Sequence, residues 1–183
     1  MLCTIDNILN YLNIKNLSPS DIDLLNDLIV RVSAEINLFC HRTFEVSSYG
    51  QYIDGNGTNH LFVGAYPIIS IDSIYISDYM VEDATTLIDS DDYMVFDRDI
   101  QKKYGVWSKG ENNILVNYSA GYVEIPHPIV QVCIEETGRK YKHRLDFDVI
   151  SKSSKDGNTT FVEKGFLKKN LLVMKAYKTR SIS

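Results

Sequence analysis

The hydrophobic period of this chain changes twice, and the two changes restrict it to very few architectures. From Ile22 to Phe39 the apolar residues Ile22, Leu25, Ile29, Val32, Ile36 and Phe39 recur at steps of three and four, the stripe of an amphipathic helix. Leu24 and Leu28 widen that stripe towards a second partner. Ser18-Pro19-Ser20-Asp21 opens it: a serine to cap free backbone N–H groups, a proline for the first helical position and an aspartate for the positive end of the dipole. At ~1.5 Å per residue a helix from Ser18 to Cys40 spans roughly 34 Å, the length of a central core element. After His41-Arg42-Thr43 the period drops to about two. It returns to helical only beyond Ile125-Pro126-His127-Pro128, where each proline pushes the preceding residue out of the helical region and Pro128 suits a first turn.

The N-terminal segment Thr4 to Ile14 predicts a short helix on Ile5, Ile8, Leu9 and Leu12. In the alternating region, Tyr49, Gln51 and Ile53 run into Asp54-Gly55-Asn56-Gly57-Thr58-Asn59, and His60 to Val63 runs back, which predicts a hairpin. Ile69, Ile71, Ile74 and Ile76 predict a third, bulged strand, so that Gln51 to Ser77 reads as a β-meander. Tyr79 to Asp92 reads as a long acidic surface loop, Tyr93 to Phe96 as a strand, and Trp107 with Asn113 to Tyr118 as the completion of the sheet. Beyond Pro128, Ile129, Val132, Cys133, Tyr141 and Leu145 mark one helical face and Ile134 another. Gly138 costs that helix about 1 kcal/mol relative to alanine, which a close helix crossing would offset.

Asp148 to Thr160 reads as a mobile linker, and Phe161 to Arg180 as an extended piece followed by a short basic amphipathic segment with Leu167, Leu171, Met174 and Tyr177 on one side, an arm with little core of its own to bury. The expected fold class is therefore α+β: a small helical core of two N-terminal helices plus a helix from about 128, an inserted antiparallel β-meander and an extended C-terminal arm. The expected boundaries are 1–146 for the domain, with helical core 4–43 and 126–146 and insertion 44–125, then 147–183 for linker and arm.

Charge is distributed unevenly around a net value of −5. Phe44 to Ile125 carries four basic and thirteen acidic residues, whereas Pro126 to Ser183 carries twelve basic and six acidic. Such opposite flanks suit head-to-tail packing of identical copies, and they also suit unrelated solvated faces. Three cysteines, Cys3, Cys40 and Cys133, make an odd count, and two of them fall in helical patterns where a thiol acts as a small buried hydrophobe, so an intracellular chain without disulfides is expected. The N-terminus lacks the pattern of a signal peptide, and no apolar run approaches the ~18 residues of a membrane span.

The motifs that would carry chemistry fail on their surroundings. Gly55-Asn56-Gly57-Thr58-Asn59-His60 lacks the third glycine of a dinucleotide loop and precedes a strand, so no helix N-terminus would face a pyrophosphate. Asp54-x-Asn56-x-Thr58 begins like a calcium loop, yet Asn59 stands where glycine is required and Ala65 where a bidentate glutamate is required. His41, His60, His127 and His143 have no neighbour at ligand spacing, and no nucleophile–base grouping stands out. The basic C-terminal third has scattered aromatics, and a pI near 5.3 opposes a dedicated DNA-binding domain.

One ordered set of segments is more specific than any motif: Ile36 to Phe44, then Tyr52-Ile53-Asp54-Gly55-Asn56-Gly57-Thr58, Leu61, Tyr66-Pro67-Ile68, Ile71-Asp72-Ser73-Ile74, Asn113 to Tyr122 and Pro126. The set covers about residues 4 to 146 and resembles the head-tail connector (adaptor, or head-completion) proteins of long-tailed bacteriophages. The resemblance implies a structural virion protein and not an enzyme, without cofactor or metal. It implies a twelve-fold ring of identical copies beneath the portal protein, in the virion neck, assembled in the host cytoplasm. Such a ring joins head to tail, contacts a tail terminator or tail-completion protein, lines the DNA exit channel and lets genomic DNA pass without sequence specificity; no membrane is involved. In that setting Phe161, Phe166, Leu167, Leu171, Leu172, Met174, Tyr177 and Arg180 form the candidate portal-docking arm. Glu82, Asp83, Asp89, Asp91 and Asp92 form a candidate acidic loop facing the channel or tail. The loop at 79–92 and the tail after 147 depart from the family pattern. Two other readings stay open: a tail-completion or other neck subunit that binds tail-tube ends, and a hydrolase whose sign would be His127, His143 and a carboxylate converging in one pocket.

Overall fold

The fold is described from a computed structural model, covering residues 1–77, 86–144 and 165–179 in full and the backbone of 151–154 and 157–160. The described residues form an α+β chain with four α-helices and antiparallel sheets. Two compact units partition it: Met1–Arg42 with Ile125–Ser183, and Thr43–Glu124.

In the first unit, helix α1 (Ile5–Leu12) starts in a reciprocal capping box. Thr4 Oγ1 accepts from the Asn7 N–H, and the Asn7 side chain accepts from the Thr4 N–H. Helix α2 (Pro19–Cys40) begins as its sequence requires, with Ser18 as N-cap accepting from the Asp21 N–H and proline at the first position, and it ends at His41 in the left-handed conformation. Its buried side are Leu25, Ile29, Val32, Ser33, Ile36 and Cys40. Ile22, expected on that stripe, lies one turn from the N-terminus and remains 39% exposed.

Helix α3 (His127–Lys142) packs against α1, α2 and α4 (Lys168–Tyr177). That central position explains why it buries Ile129, Val132, Cys133, Ile134, Glu136, Thr137, Gly138 and Tyr141 around much of its circumference. Gly138 is the close crossing that its cost implied: an added Cβ would lie 3.2 Å from Leu12 Cδ2 and 3.4 Å from the Tyr11 ring. The link between α3 and α2 is also ionic, Lys140 Nζ to Glu35 Oε1 at 2.6 Å.

The second unit holds β1 (Ser47–Gly55), β2 (His60–Phe62), β3 (Ile68–Ile76), β4 (Thr86–Leu87), β5 (Tyr93–Val95), β6 (Asp99–Lys102) and β7 (Gly110–Ala120). The expected meander is corrected. β1 and β2 do not form a hairpin; they belong to different sheets, of order β1-β7-β3-β4 and β2-β6-β5. The reason is β7, an eleven-residue strand whose edges satisfy β1 on one side and β3 on the other. The Gly-rich turn accordingly hands the chain from one sheet to the other. An added Cβ at Gly55 would overlap the Ser108 carbonyl, so no other residue fits where this turn touches the approach to β7. The bulges foreseen in the third strand are present, as register shifts between Ile68 and Ser70 and between Ile71 and Ser73.

The inward residues Ile74, Ile76, Ile114, Val116, Tyr118 and Ala120 of the larger sheet share one core with Leu61, Tyr93 and Ile100 of the smaller. Trp107 is fully buried among them, its indole N–H donating to the carbonyls of Asn59 and Ile100.

Two further expectations change. Thr86-Leu87, placed in the acidic loop, pairs with Tyr75-Ile76 as an added strand. The segment expected to be a mobile linker contains a two-stranded antiparallel ladder, β8 (Ser151–Ser154) with β9 (Gly157–Thr160).

Candidate assembly surfaces

The C-terminal arm is placed by a buried carboxylate. Glu136 on α3 is 0% exposed, and both of its oxygens are occupied. Oε2 accepts from Arg139 Nε at 3.0 Å and Nη2 at 2.8 Å, while Oε1 accepts from the Leu167 N–H and from Asn170 Nδ2, each at 2.8 Å. Arg139 Nη2 also donates to the Gly165 carbonyl. This network bonds the start of α4 to the middle of α3, so the arm has a core of its own, contrary to the expectation of a segment with little to bury. Met174 is fully buried, and its carbonyl accepts from the Cys40 thiol at 3.6 Å.

The arm residues singled out in the sequence thus divide. Phe166, Leu167, Leu171 and Tyr177 are half-buried, with the Phe166 ring edge-on to Phe39 at 6.2 Å, and Met174 is internal. Leu172 is 68% exposed and is the large apolar side chain that the described residues of α4 present to solvent. Phe161 and Arg180 lie outside the described residues.

In the acidic loop, Asp89, Asp91 and Asp92 are exposed on a single 3₁₀ turn (Ser90–Asp92) that leads into β5, with Asp89 Oδ1 accepting from the Asp91 N–H at 2.9 Å. The phenol of Tyr93 is raised above its ordinary value by burial and then by the charge of Asp89. Glu82 and Asp83 lie outside the described residues.

A third surface escaped the sequence reading. Cross-strand register aligns Tyr52 of β1, Leu115 of β7, Tyr75 of β3 and Leu87 of β4 in one row across all four strands of the larger sheet, on the face opposite the core. Tyr52 is 56% and Leu87 60% exposed. Adjacent rows on the same face are polar: Gly50, Asn117 and Ser73, where Asn117 Nδ2 donates to Ser73 Oγ, and then Ser48 beside Ser119. Residues from four strands combine here, so only knowledge of strand order exposes the row.

The positive charge of the C-terminal region is partly spent inside the first unit. Arg139, Lys140, Arg144 and Lys169 pair with Glu136, Glu35, Asp21 and Glu135. Asp21 is held below the usual carboxylate range by hydrogen bonds from Ser18 and Tyr141.

The sign sought for a hydrolase does not form. His127 and His143 flank the two ends of a sixteen-residue helix, about 24 Å apart at ~1.5 Å per residue. Among the described residues, no group of three or more His, Cys, Asp or Glu side chains is placed to hold a metal ion. His60 Nδ1 meets Asp99 Oδ2 at 2.6 Å and ties β2 to β6. No helix among the described residues is long and apolar enough to cross a membrane.

No family model matches the chain, and no curated protein sequence matches it. Solved structures do. A chain in the neck of an empty gene transfer agent (GTA) particle, computed with C6 symmetry, superposes with a TM-score of 0.64 over 97% of this chain and 90% of that one, at 9% identity. A chain in the neck of the native GTA particle, computed with C12 symmetry, gives 0.58 over 87% and 84%, also at 9% identity. A chain in the virion of the native particle gives 0.60 over 96% and 90%. At such identity the likeness is one of fold.

Proposed function

We propose that this chain is a structural neck protein of a phage-like particle, one that assembles with identical copies into a ring under the portal and joins head to tail. The observation that carries the reading is the extent of the structural likeness: 97% of the chain is covered by the match to a chain from a particle neck computed with cyclic symmetry. The ordered segments that resemble phage connectors support the same reading from the sequence side. The work would be mechanical, since cyclic repetition turns weak contacts into strong avidity and no reaction is required.

In this reading the sheet row Tyr52–Leu115–Tyr75–Leu87 and the exposed Leu172 are the surfaces that copies and portal would cover. The acidic turn at Asp89, Asp91 and Asp92 faces the channel or the tail, where negative walls repel DNA phosphates and let the genome slide. The test is electron microscopy of the purified chain alone and mixed with the portal protein of the same particle. A ring seated coaxially on the portal is expected. A ring that ignores the portal and caps tail-tube ends would make the chain a tail-completion subunit, and a chain that stays monomeric in both samples would overturn the reading.

A further inference from the structure

Two of the three cysteines meet in the first unit. Cys3 Sγ and Cys133 Sγ lie 3.2 Å apart, although 130 residues separate them in sequence. Cys3 precedes the Thr4 cap and so sits outside α1, whereas Cys133 is held in the middle of α3. The surroundings are buried and polar. Ser33 Oγ on α2 accepts from the Leu2 N–H at 3.0 Å and approaches Cys133 Sγ at 3.7 Å. Leu2, 2% exposed, anchors the N-terminal residues over the pair. Cys40 stands apart, its thiol directed to the Met174 carbonyl.

We propose that Cys3 and Cys133 are an oxidation site at which a hydroperoxide closes a disulfide that staples the N-terminus to α3. The sulfurs need move only about 1.1 Å closer to reach the ~2.05 Å of a disulfide bond. The displacement falls on Cys3, whose backbone belongs to no helix. The Cys3 thiol donates to Cys133 Sγ, which lowers the Cys133 thiol from its ordinary value and raises that of Cys3. Cys3 is 5% and Cys133 0% exposed, so the peroxide enters as the helix-free Cys3 segment moves aside, and Cys133 is the attacking thiolate. Its sulfur takes one oxygen of the peroxide as the O–O bond breaks, giving Cys133 sulfenic acid and hydroxide. Cys3 sulfur then attacks the sulfenic sulfur, the S–O bond breaks, and its hydroxyl leaves as water with the Cys3 proton. In sum, two thiols and one hydrogen peroxide become one disulfide and two waters. Burial pushes the Cys40 thiol up to about 11, which leaves it largely protonated and slow to react.

The pair matters to particle biology only if the neck reading holds: a chain reduced at assembly would be stapled once the particle meets an oxidising medium. The chemistry does not depend on that reading, and the test uses the isolated full chain. The protein is purified with reductant, desalted and exposed to hydrogen peroxide in slight molar excess. It is then denatured, alkylated with iodoacetamide and weighed intact. A single alkyl group, a loss of two hydrogens and a proteolytic peptide joining Cys3 to Cys133 are expected, together with a Tm rise of several degrees that dithiothreitol reverses. Cys40→Ser should crosslink as the native chain does. Cys3→Ser should instead leave Cys133 as a sulfenic acid that dimedone traps. Three alkyl groups, a sulfinic product at Cys133 without a crosslink, or a bond that includes Cys40 would overturn the proposal.

Discussion

Glu136 and Tyr118 show how single polar groups control each unit. Glu136 is a carboxyl group with no exposure, and it is tolerable there only because four donors converge on its two oxygens. Glu136→Ala removes the acceptor for Arg139, Asn170 and the Leu167 N–H at once. It should lower stability by about 3–5 kcal/mol, read as a shift of the urea midpoint, and free α4 first in hydrogen exchange. Tyr118 is buried with its hydroxyl donating to Gln51 Oε1 and accepting from the Ala65 N–H, both at 3.0 Å. Burial raises its phenol above the ordinary value of ~10. A group whose folded value is raised contributes stability that is complete below the unfolded value and lost as pH rises through the folded one. Unfolding free energy should therefore fall above pH ~10. Tyr118→Phe should cost about 1–2 kcal/mol at neutral pH through the lost hydrogen bonds, and it should flatten that alkaline decline in urea titrations from pH 7 to 11.

At the scale of elements, the helices were legible in the sequence because their signals are local. Ser18-Pro19 and the Pro126–Pro128 boundary act within a turn, and each appears where the residues put it. The strands were legible as runs but not as partners, since a backbone N–H bonds equally well to any strand in register. β6 was missed altogether: Ile100 alone is apolar in Asp-Ile-Gln-Lys, and its place in the core depends on β2 and β5 lying on either side. The arm failed for a similar reason, because Met174 and Asn170 have a core only when α2 and α3 are already packed. Its proposed docking role now rests on Leu172. Leu172→Asp should leave the urea midpoint within about 0.5 kcal/mol of the native value, as exposed substitutions do. The variant should nevertheless weaken capture of the chain by immobilised portal protein, and unchanged capture would remove the arm from the interface. For the acidic turn, Asp89→Lys, Asp91→Lys and Asp92→Lys combined should retain or slow DNA during ejection from assembled particles, with unaltered ejection kinetics counting against a channel-facing position.

The whole molecule is two units threaded by one chain, and the second begins and ends at one place. The Tyr122 N–H donates to the Phe44 carbonyl at 2.8 Å, and Glu45 bridges to Tyr122, so the insertion closes on itself before the chain rejoins its helices. The described residues of its core, from Leu61 to Ala120, all lie within Thr43–Glu124. A fragment spanning 43–124 should fold alone, with one cooperative urea transition and a buried-tryptophan emission from Trp107; a broad, non-cooperative transition would show that the helical unit is needed. The sequence by itself determined the order helix, sheet, helix, the starts of the two long helices and the absence of any local motif for chemistry, because periodicity, caps and turn residues act over a few positions. Only the tertiary structure decided which strands pair, that the arm is anchored on Glu136, that an apolar row crosses the outer sheet face, and that Cys3 touches Cys133. Each of those is a contact between residues far apart in the chain, and its energy exists only once the elements around it have packed.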